Sequence, residues 1–106
     1  MGSENRRDVR ARMKGFFANK YIEGLPHTVE VLDASAGGLR VRKIFEPETA
    51  SDTFPLELCI DGSTRFFAWT KRVWRRGDEE ALRIVATDPL DRARLRKFLR
   101  TFAPAV

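Results

Sequence analysis

At 106 residues the chain has room for one domain. Its 20 Lys and Arg against 15 Asp and Glu give a net charge of +5, and its 42% hydrophobic and 33% charged residues make it too apolar for a disordered chain and too charged for a membrane protein. A single cysteine, Cys59, excludes an internal disulfide, and with one histidine, His27, no Cys/His zinc cluster is available.

No apolar run reaches the length of a membrane helix, and Met1 to Asn5 lead into arginines without the apolar core of a secretory signal. The expectation is a cytoplasmic, metal-free protein. Residues 1–10 are polar and without period, and read as a flexible leader. From Ala11 to Asn19 the pattern predicts a strand, Met13 and Phe17 on one face, Arg12 and Lys14 on the other. Glu23-Gly24-Leu25-Pro26 is a turn. A second strand runs from His27 to Asp33 with Val29 and Val31 inward, Asp33 to Gly38 is a loop, and Leu39 to Ile44 form a third strand.

A polar connection, Glu46 to Asp52, leads to a fourth strand over Phe54 to Ile60, with Leu56, Leu58 and Ile60 on one face and Glu57 and Cys59 on the other. Asp61-Gly62 signals a hairpin. The fifth strand, Thr64 to about Arg75, carries Phe66, Phe67, Trp69, Val73 and Trp74 on both faces. A bulge is therefore expected near Thr70 to Arg72, and the aromatics are expected as core. After Gly77-Asp78, Leu82, Ile84 and Ala86 alternate in a sixth strand. The period then changes. Asp88 can cap a helix, Pro89 suits its first turn, and Leu95, Phe98, Leu99 and Phe102 form one stripe of a helix over about residues 88–102. Arg92, Arg96 and Arg100 recur along it as a solvated face. Six short strands and one amphipathic helix predict a six-stranded antiparallel β-barrel with a C-terminal α-helix, all within residues 11–106.

Two motifs carry chemistry. Arg6 and Arg10 stand as Arg-x-x-x-Arg, with Arg7 beside the first; guanidinium forks suit phosphate oxygens and guanine edges. Asp33-x-Ser35-x-x-Gly38 offers a carboxylate for guanine N–H groups, a hydroxyl for phosphate or loop backbone, and a glycine that permits positive φ or close approach to a ligand. Arg10 and Asp33 are 23 residues apart, enough for one strand, a turn and a second strand, so antiparallel pairing brings the motifs together at one end of the barrel.

In these two motifs and their order the sequence resembles the PilZ family, bacterial receptors for cyclic di-GMP, and the resemblance runs nearly the whole chain through the terminal helix. It implies that Arg6, Arg7 and Arg10 clamp the ligand, that Asp33, Ser35 and Gly38 form the second half of its site, and that the ligand binds outside the barrel with the leader folding over it. Two departures stand out: Leu82-Arg83-Ile84-Val85 lies where the family often has a glycine and a phenylalanine, and Asp8 sits between the arginines. With no base–nucleophile pair identifiable, the reading is a binding module and not an enzyme. It needs no cofactor, takes cyclic di-GMP as ligand and signals to a separate protein partner. The alternative is a small basic barrel binding single-stranded RNA or DNA, in line with a sequence pI near 10.0.

Overall fold

The computed structural model describes residues 10–60, 62, 64–102 and 104. In chain order the elements are β1 (Ala11–Ile22), β2 (Leu25–Ser35), β3 (Gly38–Lys43), β4 (Thr53–Cys59), β5 (Arg65–Arg76), β6 (Glu79–Ala86) and the helix α1 (Pro89–Leu99). The six strands close into an antiparallel barrel in the order β1-β2-β3-β6-β5-β4. Alternation sends Val29, Val31, Val41, Leu56 and Phe66 into an interior sealed from water. No helix among the described residues is long and apolar enough to cross a membrane.

α1 begins as its sequence dictates, the Asp88 side chain accepting a hydrogen bond from the Leu90 amide and Pro89 entering the first turn. It stops at Leu99 rather than near residue 102. The Thr101 hydroxyl and amide both donate to the Phe98 carbonyl, ending the helical ladder one turn early. Leu95 and Leu99 bury against the barrel, while Phe98 and Phe102 pack with Phe16 of β1 at centroid distances of 5.0–5.8 Å. Arg96 and Arg100 face outward and Arg92 is half-buried.

Three features depart from the alternation expected of the sequence. In β1 the pairing with β2 slips between Arg12 and Phe16, where Gly15 sits at φ 93°, a backbone conformation that glycine adopts without strain. The slip reverses the phase of the strand. Phe17, expected inward, faces solvent, and Ala18, Lys20 and Ile22 point into the barrel. In β2 one extra residue, Leu32, lies between the pairs Val31–Val41 and Asp33–Arg40, and it turns Asp33 outward and Ala34 inward. In β5 the pairing shifts between Trp69 and Thr70 and again between Arg72 and Trp74, flanking the bulge expected there. Phe66 is core. Phe67 and Trp69, expected as core, lie on the outside at 51% and 52% exposure, because successive strand residues face opposite sides and only one side is interior; Trp74, also expected as core, is 42% exposed past the shift between Arg72 and Trp74, where Val73 is exposed as well.

The end of the barrel away from α1 is filled by charge. Lys20 Nζ donates to Glu80 Oε1 at 2.7 Å and to Glu46 Oε1 at 3.0 Å, Arg72 Nη1 reaches Glu80 Oε2 at 3.1 Å, and the Lys20 ammonium sits 4.2 Å from the Phe54 ring centroid. Lys20 and Glu80 are fully buried, and Glu46 is brought to them by the connection between β3 and β4.

Candidate functional site

The segment expected as a six-residue loop is a tight hairpin. β2 continues through Ser35, β3 starts at Gly38, and only Ala36 and Gly37 form the turn, which the Ser35 hydroxyl ties down by accepting from the Gly37 amide at 3.2 Å. This pairing sets Ser35 opposite Gly38 and Asp33 opposite Arg40. On the other side of β2, Asp33 pairs with Arg12 of β1, so the chain arriving at β1 passes directly beside it.

Arg10 makes use of that proximity. Its Nε donates to Asp33 Oδ1 at 2.8 Å, its Nη1 to Ser35 Oγ at 3.4 Å and its Nη2 to the Gly38 carbonyl at 3.5 Å. The structure thus joins Arg10, Asp33, Ser35 and Gly38 into one cluster on the outer surface. Arg6 and Arg7 lie outside the described residues. The Asp33–Arg10 contact is short and charge-assisted, whereas the two Nη contacts are long and correspondingly weak.

Gly38 serves a different purpose from the one read from the motif. Its φ is not positive, and the backbone it approaches is that of a neighbouring strand: a Cβ there would lie 2.7 Å from the Leu82 carbonyl oxygen. The hairpin and β6 meet so closely that the Ile84 amide donates to the Gly37 carbonyl at 2.8 Å. Glycine is required for this strand contact.

Arg40 was missed in the sequence. Its Nε donates to the second Asp33 oxygen, Oδ2, at 2.8 Å, and its Nη1 to Glu79 Oε1 at 2.8 Å. The hydrogen bond to Asp33 pushes the Arg40 guanidinium above its ordinary pKa, against a smaller opposing effect of burial. A two-residue turn at Ala36-Gly37 places residue 40 opposite residue 33, so the signal was present but depended on knowing the turn length. Asp33, held between two arginines and mostly covered, accepts one hydrogen bond on each oxygen among the described residues, and each carboxylate oxygen has capacity for a second.

A second polar cluster lies on the outer face of β1, β4 and β5. Glu57 accepts from Asn19 Nδ2 at 3.3 Å, from the Tyr21 hydroxyl at 3.0 Å and from Arg65 Nη1. Burial pushes the Glu57 carboxyl up, but these three donors outweigh it and leave the group below the usual carboxylate range; Tyr21 is raised, chiefly by its hydrogen bond to Glu57. Since the folded-state pKa is depressed, the cluster's stabilisation is fully present above the unfolded carboxylate value and is lost as pH falls through the folded one. The thermal midpoint is expected to drop on acidification through that window, and a Glu57→Gln variant should show a flatter profile; an identical profile in the two proteins would refute the assignment. Among the described residues no three His, Cys, Asp or Glu side chains converge as metal ligands would.

No family model and no curated protein matches the sequence. Among solved structures, the crystal structure of an uncharacterized Legionella protein, Lpg0364, is similar over 87% of this chain and 90% of that one, at 13% identity and a TM-score of 0.56. The likeness is one of fold.

Proposed function

We propose that the chain is a cyclic di-GMP receptor of the PilZ type, a binding module that changes conformation with its ligand and is read by a separate protein partner. The observation that carries this reading is the meeting of Arg10 with Asp33, Ser35 and the Gly38 carbonyl, two motifs far apart in sequence. Cyclic di-GMP presents two phosphates and two guanines. The Asp33 carboxylate accepts a guanine N–H edge on the remaining capacity of its oxygens. The Arg10 Nη atoms exchange their two long internal contacts for phosphate oxygens, while Nε stays on Asp33 and keeps the fork aimed. Arg6 and Arg7 supply further phosphate contacts as the leader closes over the ligand.

Two or three such arginine contacts, each worth about 1.5–3 kcal/mol, together with base stacking offset the ordering costs and leave a micromolar Kd, about −8 kcal/mol. Titration calorimetry with cyclic di-GMP should give saturable, stoichiometric binding. Arg10→Ala should lose it while the thermal midpoint of the ligand-free protein stays nearly unchanged, since the Arg10 side chain is 44% exposed. No heat from the natural sequence, or undiminished affinity in the variant, would overturn the reading.

The exposed β5 aromatics Phe67, Trp69 and Trp74, set among Arg65, Lys71, Arg75 and Arg76, favour a second reading, a platform for single-stranded RNA or DNA. Oligonucleotide binding that weakens steeply with salt, in the absence of dinucleotide binding, would select it.

A further inference from the structure

We infer that Lys71 of β5 and Arg83 of β6 form an anion subsite that takes a phosphate of the ligand seated over Gly38, an extension that rests on the cyclic di-GMP reading above. Leu82 and Ile84 are buried, so Arg83 between them points outward, and fully buried Thr70 sends its neighbour Lys71 outward in the same way. The register sets Arg83 opposite Gly38 on one side and opposite Lys71 on the other. Ser35, Gly38, Arg83 and Lys71 therefore form one continuous row across four strands of the outer surface, with Arg10 bonded over its first two members.

Two properties of this pair point to a ligand. Directly opposed side chains on neighbouring strands have Cβ atoms about 4.5–5.5 Å apart, and like charges so placed repel. Several cations of the barrel are neutralised, Arg40 by Asp33 and Glu79, Arg42 by Glu30 and Glu79, Arg65 by Glu57 and Arg72 by Glu80, while Arg12, Lys43, Arg75 and Arg76 have no carboxylate within ion-pair distance among the described residues. Lys71 and Arg83 have no carboxylate within ion-pair distance among the described residues, and both are exposed. The mutual repulsion is relieved when an anion sits between them.

Their distance from the Arg10 fork also fits. With strands about 4.8 Å apart, the row from Ser35 to Lys71 spans roughly 14 Å, a width that a cyclic dinucleotide with its two phosphates can bridge. Gly38, buried beside β6 and under the Arg10 fork, adds no side chain to the stretch between the two cationic ends. Arg83 occupies one of the positions where the sequence departs from the PilZ pattern, so this subsite belongs to this chain's own residues.

The test is titration calorimetry with cyclic di-GMP at two salt concentrations on the natural sequence, Arg83→Ala, Lys71→Ala and the double variant, with Arg10→Ala as reference. Each single substitution should weaken binding about tenfold, as expected for loss of a charge-assisted phosphate contact. The double variant should show a shallower salt dependence, and the thermal midpoints without ligand should hold or rise as the like-charge pair is removed. If the natural sequence binds, Arg10→Ala does not, and the Lys71 and Arg83 variants bind as tightly as the natural sequence, this inference alone is overturned. If the natural sequence fails to bind, the receptor reading falls and the subsite with it. Loss of affinity for an oligothymidylate in the variants, with dinucleotide binding unchanged, would also overturn the proposal.

Discussion

Replacing Lys20 with methionine is expected to lower the unfolding free energy by about 3–5 kcal/mol. Methionine retains most of the aliphatic stem, so the loss comes from charge rather than from a cavity. The ammonium is the cation held between two carboxylates, Glu80 at 2.7 Å and Glu46 at 3.0 Å. Without it, Glu80 keeps Arg72 and Glu46 keeps no ion-pair partner among the described residues, within which one of its oxygens, Oε2, already lies buried without a hydrogen-bond partner. Two carboxylates crowded into an interior lined by Phe54 must then take up a proton or draw in water, and either route costs stability. Urea denaturation of both proteins gives the difference directly for a small two-state domain. A loss below about 1 kcal/mol would mean that water reaches this end of the barrel and solvates the carboxylates, as for an exposed ion pair.

Leu95→Ala should destabilise the fold by about 2–5 kcal/mol, the range for truncating a sealed leucine, since Leu95 is 0% exposed. The residue is the anchor by which α1 joins the barrel core, with Leu99 a turn later and the rings of Phe16, Phe98 and Phe102 alongside. The cost tends to the upper part of the range if strand backbones hold the cavity open, and to the lower part if the helix settles inward. Ligand affinity measured well below the thermal transition should be unchanged, because Arg10, Asp33, Ser35 and Gly38 stand on the outer surface. A variant as stable as the natural sequence in urea would show that α1 contributes little to the core.

The number and order of the elements were legible from the sequence, because alternation over Val29–Val31, Leu56–Ile60 and Leu82–Ala86 and the stripe from Leu95 to Phe102 are local patterns. The convergence of Arg10 with Asp33 was legible too, since it follows from pairing the first two strands antiparallel. What could not be read was phase. The irregularities at Gly15 and Leu32 each reverse which side chains face inward, and neither leaves the apolar residues on both faces that betrayed the bulge in the fifth strand. That is why Phe17 was expected inward, and why Lys20 went unnoticed although it follows inward-facing Ala18 at a spacing of two. Arg40 and the pair of Lys71 and Arg83 depend on register between strands, information that resides in turn length and long-range pairing. The exposed Phe67 and Trp69 were assigned to the core because aromatic residues usually are, a preference that says nothing of which face a given strand presents.

Each of the six strands is hydrogen-bonded to a neighbour on both sides, and the margin left by the closure is the β4-facing side of β1 before Ala18, where β1 and β4 pair only from Ala18 to Lys20. A protein that docks on the paired strands, away from that margin, must recognise side chains, not main-chain amides. Its specificity is then open to single substitutions at the surface, and the same closure guards the fold against edge-to-edge polymerisation.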